Sequence, residues 1–297
     1  MTVPYSKIHV IINPAAGKDE PILNTLNDVF NQYNVDWELS MTRKFGDATQ
    51  MARAAVASGI DLVAGYGGDG TQMEVANGVM GSDTPMAILP GGTGNAMAFE
   101  LKIPRNLRQA AELICQSSNR HKIDLGRIGD HLFMLRTYTG PQKEEVASRA
   151  DKDKLGVLAY PMASLRVFKN LTKVHYRLTL DGQEVEDEGV MCYIFNAGAW
   201  GGVELPEAAT ISASDGLLDV LILNKSAKSV RAFASYELNI GPSRTHAHHW
   251  QAREIRVESD SSQAVWIDGE EHGQTPFTAT VVPQAISIVV PEEKPVR

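Results

Sequence analysis

Only two cysteines, Cys115 and Cys192, occur in 297 residues, far apart and each among apolar neighbours. That pattern favours two buried thiols over a disulfide framework or a metal site, and it gives redox chemistry no support. No apolar run approaches the ~18 residues of a membrane span, and Met1-Thr2-Val3-Pro4-Tyr5-Ser6-Lys7 lacks the charged-then-apolar plan of a secretory signal. A cytoplasmic protein without a transmembrane segment is the expectation. Positive charge is in deficit, with 28 Lys and Arg against 36 Asp and Glu and a net charge of −8, which argues against nucleic-acid binding and gives no general attraction to an anionic membrane. The main basic stretch, Arg166, Lys169, Lys173 and Arg177 among Val167, Phe168, Leu171 and Val174, reads as cations near a helix C-terminus. Contact with lipid head groups is the second reading, and its apolar face is short for a surface-bound helix. There is no solenoid repeat, low-complexity tract or long linker.

What is present is a chain with 43% hydrophobic residues and a length comfortable for two domains. Strand and helix alternate at first: apolar strand patterns at 8–12, 37–42, 61–65 and 85–89 are separated by helical patterns ending near 33 and covering 47–58 and 71–81, with a further helix at 107–115. Residues 1–125 are therefore expected to form a doubly wound α/β domain. Beyond Asp124 the texture changes to strands with turn signals, at 131–138, 175–180 with the turn Asp181-Gly182, 190–195, 217–223, 250–258, 264–267 and 285–290. Residues 126–297 are expected to form a mainly β sandwich, decorated by helices at 155–168 and 229–239. The active cleft is expected between the two domains.

The most informative stretch is Gly67-Gly68-Asp69-Gly70-Thr71, which follows the strand Asp61-Leu62-Val63-Ala64-Gly65 and opens a helix. Glycines let successive N–H groups converge on phosphate oxygens, and the helix start adds its positive end. Asp69 among such amides makes sense where a divalent cation or a transferred proton must be managed. A second loop of the same kind, Pro90-Gly91-Gly92-Thr93-Gly94-Asn95, ends the next strand. The segment between them repeats Met73, Val75, Ala76, Val79 and Met80 with helical period, so both loops lie along one edge of a parallel sheet, at the carboxyl ends of its strands.

Gly65-Tyr66-Gly67-Gly68-Asp69-Gly70 also satisfies the dinucleotide fingerprint. The acidic residue that should end the next strand and hold a ribose is replaced by Pro90-Gly91-Gly92, and no Gly-x-x-x-x-Gly-Lys-Ser/Thr pattern exists. His246, His248 and His249 alternate across a strand, which sets only two on one face and disfavours a metal there.

Asn13-Pro14 with Gly17-Lys18, Gly67 to Thr71, Pro90 to Asn95 and Asp268-Gly269-Glu270, in this order, resemble the diacylglycerol kinase catalytic family, bacterial soluble lipid kinases in particular. The likeness runs over essentially the whole chain, including Gly156-Val157-Leu158-Ala159-Tyr160 and the stretch from Pro206-Glu207-Ala208 to Asp215-Gly216-Leu217. It implies a nucleotide-binding α/β domain, a β-sandwich domain for the lipid acceptor, ATP, magnesium, and transfer of the γ-phosphoryl group to a lipid hydroxyl. Nucleotide phosphates then fall on Gly67, Gly68, Gly70, Thr71 and Gly92, with Asn13, Thr42, Thr93 and Asn95 lining the pocket and Lys18 neutralising charge. Asp69 serves magnesium, and Asp124 joins the metal-linked network. Glu270 is the general base, with Asp268 orienting it or sharing its duty. Ser212, Asp215 and Leu217 correspond to a second, structural cation site; a plain Asp-Gly turn is the other reading of that loop. Ala96 stands where some relatives carry Asp, and residues 140–145 lack a Gly-x-Asp pattern seen in many relatives.

Diacylglycerol is the leading acceptor, phosphatidylglycerol or a sphingoid base the alternatives, because acceptor choice lives in apolar cleft residues that spacing does not identify. An NAD kinase shares the Gly-Gly-Asp-Gly-Thr loop, and a nucleotide sensor without turnover is the non-enzymatic reading. The expected partner is a lipid at the membrane surface, met by transient peripheral contact; a homo-oligomer is compatible with the chain but not required by it.

Overall fold

The computed structural model describes residues 3–16, 19–140, 172–197, 211–224 and 247–292, with the backbone of residues 203–204 and 243–244. The chain divides into two units, residues 1–125 with 283–297, and residues 126–282.

In the first unit the order is β1 (Lys7–Ile12), α1 (Ile22–Gln32), β2 (Asp36–Met41), α2 (Asp47–Ala57), β3 (Leu62–Gly67), α3 (Asp69–Val79), β4 (Met86–Pro90), α4 (Ala96–Glu100), α5 (Leu107–Gln116) and β5 (Arg120–Ile128), whose last residues belong to the second unit. β2, β1, β3 and β4 lie side by side in that order and run parallel. Every residue of β3 and β4 is buried, as a parallel sheet covered on both faces requires. The chain leaves β1 for β2 on one side and then crosses back over β1 to β3, so its direction reverses between β1 and β3. In open α/β sheets the ligand crevice lies at the carboxyl ends of the strands at such a reversal.

The second unit comprises β6 (His131–Phe133), β7 (Arg136–Thr139), β8 (Val174–Leu180), β9 (Gln183–Gly189), β10 (Met191–Phe195), β11 (Val203–Glu204), β12 (Leu218–Leu223), β13 (Ser243–Arg244), β14 (Ala247–Ala252), β15 (Glu254–Ser259), β16 (Ala264–Ile267), β17 (Glu270–Gln274) and the first half of β18 (Phe277–Val289). One antiparallel sheet has the order β14-β12-β10-β7-β16-β17, and a second places β9, β8, β15 and β18 side by side. Tyr176, Leu178, Ile255 and Val257 of the second sheet share one buried core with Cys192, Ile194, Val220, Ile222 and Val265 of the first. This is a β sandwich, with alternate residues of each strand turned inward.

Three differences from the sequence reading have clear causes. The strand expected at 250–258 is two strands in two sheets, β14 and β15, broken at Arg253; there the Asp181 carboxylate takes the N–H groups of Arg253 (3.0 Å) and Glu254 (2.8 Å) and turns the chain. The last strand is longer than 285–290, because Phe277–Thr280 pair with β15, ahead of the stretch that pairs with β4 and β5. Its second half pairs with β4 at Ile288 and Met86, and Ser117 Oγ donates to the Val290 carbonyl at 2.7 Å, so residues 283–297 cluster with the first unit although the second was expected to run to 297. The helices expected at 155–168 and 229–239 lie outside the described residues, as do Arg166 and Lys169 of the basic stretch. Cys115 and Cys192 are free and buried, and burial pushes the Cys115 thiol up to about 12.

α2 and α3 meet at Gly78, where an added Cβ would lie 2.3 Å from the Ala52 Cβ and 2.7 Å from the Thr49 carbonyl oxygen. Gly78→Ala is expected to destabilise the protein by about 1–3 kcal/mol in urea unfolding, because overpacking exceeds the gain of about 1 kcal/mol in helix propensity. An unchanged or raised midpoint would contradict this contact.

Candidate active site

Three chain segments meet at the carboxyl edge of the first unit's sheet. From β1 comes Asn13, whose N–H donates to the Tyr66 carbonyl at 2.9 Å, while its Nδ2 donates to Thr71 Oγ1 at 3.0 Å. From β3 comes the loop into α3, with Gly68 as N-cap and Asp69 in the first turn. From β4 comes the second glycine loop, whose Gly91 and Gly92 N–H groups both donate to the Gly67 carbonyl, at 3.0 and 3.2 Å. The two glycine loops are therefore bonded to one another.

Their contact tolerates no side chain. A Cβ on Gly92 would lie 2.5 Å from Gly68 Cα, one on Gly67 2.5 Å from Thr71 Oγ1, and one on Gly91 2.8 Å from the Tyr66 ring. Gly70 is different: a Cβ there meets nothing within 4 Å beyond the helix's own backbone, so the first turn of α3 is open on the side of Gly70. Asn95, in the left-handed region at φ 50°, holds the second loop by accepting from the Gly92 N–H (3.0 Å) and donating to the Gly92 carbonyl (2.7 Å). Asp69 lies under this loop: its Oδ2 would be 3.0 Å from a Cβ on Gly94, and its Oδ1 receives the Met97 N–H at 3.4 Å. Thr93 is exposed, and its carbonyl accepts from Arg105 at 3.3 Å. Thr42, half-buried at the end of β2, donates its N–H to Ile12 at the end of β1 at 2.9 Å.

In the second unit, β16 and β17 form a hairpin turned by Asp268 (φ 45°) and Gly269 (φ 101°), both left-handed as a two-residue turn requires. The Asp268 carboxylate accepts three backbone N–H groups, from Met134 (3.0 Å), Leu135 (3.2 Å) and Arg136 (2.9 Å). Burial raises its carboxyl to about 6, against the opposing pull of those donors. Glu270, two residues on, is its opposite, with a side chain 67% exposed and His272 Nε2 at 3.9 Å from its Oε2. The His272 ring packs on His131 with centroids 4.2 Å apart.

The remaining expected residues are placed as follows. Asp124 on β5 is 1% exposed and accepts the Gln284 N–H at 2.6 Å, at a position where Gln284 has φ 50°. Asp215 is exposed and accepts the Leu217 N–H at 3.0 Å, closing the turn that also holds Ser212. Among the described residues no three His, Cys, Asp or Glu side chains form a metal-binding group. Lys18 lies outside the described residues, as does His246; His248 and His249 pair instead with Asp187 (2.8 Å) and Asp219 (2.6 Å). The sequence reading missed Gln72, buried at the base of α3, whose Nε2 donates to the Gly65 carbonyl at 2.9 Å, and Glu74, which takes the Gly46 and Ala48 N–H groups. Their only signal is a polar side chain within an otherwise apolar helical face.

Two family models match consecutive stretches of the chain: the diacylglycerol kinase catalytic domain over residues 7–128, and the YegS C-terminal NAD kinase beta sandwich-like domain over residues 138–290. The chain belongs to the diacylglycerol kinase catalytic domain family. Both family domains lie where the α/β unit and the sandwich stand. A diacylglycerol kinase of Bacillus subtilis (strain 168) is 28% identical over 298 residues, 97% of each chain. A crystal structure of a diacylglycerol kinase from Bacillus anthracis str. Sterne superposes with a TM-score of 0.79 at 27% identity, covering 98% of this chain and 99% of that one. No helix among the described residues is long and apolar enough to cross a membrane.

The raised carboxyl of Asp268 makes stability pH-dependent with a definite sign. Its folded value of about 6 exceeds the ordinary 3.8, so the folded state holds the proton more tightly, and the stabilisation is complete below pH 3.8 and lost as pH rises through about 6. Asp268→Asn removes this slope. Discounting for partial exposure, the wild-type minus variant difference in urea-unfolding free energy is expected to fall by about 1–2 kcal/mol from pH 4 to pH 7. A difference that stays constant over that range would mean the carboxyl titrates at its ordinary value.

Proposed function

We propose that this member of the family is an ATP- and magnesium-dependent lipid kinase that transfers the γ-phosphoryl group to a lipid hydroxyl, with diacylglycerol as acceptor. The observation that carries the reading is the interlocked pair of glycine loops at the strand-order reversal, with Asp69 beneath the second loop and open space beside Gly70 in the first turn of α3. Main-chain N–H groups of residues 68–71 hold phosphate oxygens, and the start of α3 favours their negative charge. Asn13 fixes the Thr71 hydroxyl at the rim, Thr42 and Thr93 line the same edge, and Lys18 adds a cation.

The donor set suits magnesium. This ion keeps several waters and needs only one or two carboxylates besides substrate phosphates, so Asp69 suffices without a cluster of acids. Magnesium held by Asp69 would supply charge neutralisation for the phosphate oxygens. Asp124 acts at one remove, through the strand it fixes. A structural cation on Asp215, with the Ser212 and Leu217 carbonyls, completes the metal assignments.

Glu270 accepts the proton of the lipid hydroxyl as that oxygen bonds to the γ-phosphorus and the bond to the bridging oxygen breaks, leaving ADP. A positioned carboxylate is enough, since alignment and charge neutralisation supply most of the acceleration. Asp268, with its carboxylate committed to three N–H groups, sets the turn that presents Glu270. The two family domains matched one after the other in this chain support a nucleotide-binding part and an acceptor part in one enzyme. The Bacillus subtilis relative's name supports diacylglycerol over other lipid alcohols, and the expected setting is the cytoplasmic membrane surface, with self-association left to measurement.

The test offers labelled ATP and magnesium to the purified chain with diacylglycerol, phosphatidylglycerol, a sphingoid base or NAD in detergent micelles. Label is expected in diacylglycerol above the other acceptors, and Glu270→Gln is expected to lower kcat by about 100-fold or more. Label in NAD alone would overturn the acceptor class, and full turnover by the Gln variant would remove Glu270 from its role.

A further inference from the structure

Phe45 is the most exposed large apolar side chain among the described residues, at 78%. Isolated exposed apolar residues are ordinary, so exposure alone decides nothing. The loop that carries it is another matter. Thr42 N–H donates to the Ile12 carbonyl at 2.9 Å, and the Asp47 carboxylate accepts the N–H groups of Arg43 (2.8 Å) and Lys44 (3.1 Å). The N–H groups of Gly46 (2.9 Å) and Ala48 (3.1 Å) donate to Glu74 Oε2, while Thr49 Oγ1 donates to the Glu74 carbonyl (2.9 Å). Gly46 has φ 87°, which a side chain resists, so residues 42–46 have their backbone bonded on both sides of Phe45.

The anchor of this loop is informative. Glu74 belongs to α3, the helix that begins at the first glycine loop, so Phe45 is held at a fixed offset from the proposed phosphate site. The loop follows β2, the glycine loop follows β3, and only β1 lies between them, a separation of about two strand spacings or ~10 Å. That is the scale on which a nucleotide's base stands off from its phosphates. Arg43 and Lys44, next to Phe45, add attraction for a polyphosphate.

We propose that Phe45 is the stacking platform for the purine base of the nucleotide whose phosphates the glycine loops hold. The inference rests on the phosphate reading of those loops. An aromatic face suits any purine, which gives affinity without choosing between adenine and guanine; that choice belongs to hydrogen bonds elsewhere.

Binding to the full chain is measured by calorimetry for magnesium ADP and for magnesium pyrophosphate, which has no base, using wild type, Phe45→Ala and Phe45→Trp. Phe45→Ala is expected to weaken ADP by about 5- to 150-fold and leave pyrophosphate within twofold, while Phe45→Trp keeps ADP affinity. Equal losses for both ligands, or no loss of ADP, would overturn the proposal. Loss of co-sedimentation with phosphatidylglycerol vesicles at unchanged ADP affinity would overturn it in favour of a bilayer contact. Wild type binding neither ligand would bring down the phosphate reading, and this inference with it; wild type binding pyrophosphate while Phe45→Ala keeps full ADP affinity would sink the inference alone.

Discussion

The close approach of two backbone loops, Gly67-Gly68 and Gly91-Gly92, is the constraint around which the first unit is arranged. With Gly68 Cα 2.5 Å from where a Gly92 Cβ would stand, no other residue fits at position 92 without moving main chain. The two N–H groups donated to one Gly67 carbonyl hold the loops in this position, and the parallel pairing of β3 with β4 delivers both to the same edge. Asn95 and Gln72 hold the outer and inner sides, one bonding Gly92 and the other Gly65. A rigid, side-chain-free surface results. Fixed main-chain dipoles are effective toward an anion because they need little reorganisation when it binds.

Much of this was legible. The glycine loops, the helix between them and their common edge follow from residue type and period, and the Asp-Gly pairs at 181–182 and 268–269 turn hairpins as their φ preferences dictate. What was not legible depends on long-range partners. Arg253 breaks an apolar alternation that reads as one strand only because Asp181, 72 residues earlier, claims its N–H. Ile288 and Val290 join the first unit through pairings with Met86 and Ser117, and no local pattern encodes them. Glu74 looks like a surface helix residue and is instead the half-buried acceptor that ties α3 to the loop before α2. Burial raises its carboxyl despite those donors.

The sequence treats Asp268 and Glu270 as a pair of acids, and the structure separates them. Two carboxylates two residues apart share a hairpin but not an environment: one is enclosed and saturated with N–H donors, the other projects into solvent with a histidine nearby. Divergent environments are the usual means of giving neighbouring acids different duties. Asp268 occupies a left-handed conformation that a non-glycine residue resists, and its three bonds compensate for that strain.

The second unit contains its own control for this assignment. Asp181-Gly182 repeats the device of Asp268-Gly269: an aspartate and a glycine at positive φ turn a hairpin, and the aspartate carboxylate grasps consecutive N–H groups of another strand segment. The first instance joins β8 to β9, where the residue two places after the aspartate is Gln183, and no candidate chemistry attaches to it. An Asp-Gly turn that clamps a neighbouring strand is therefore a structural device in this fold, needing no reaction to account for it. What distinguishes the second instance is the residue it presents, an exposed carboxylate where the first offers an amide. On the proposed reading, catalysis at this hairpin therefore falls to Glu270, while the three N–H groups bound by Asp268 hold the turn that carries it.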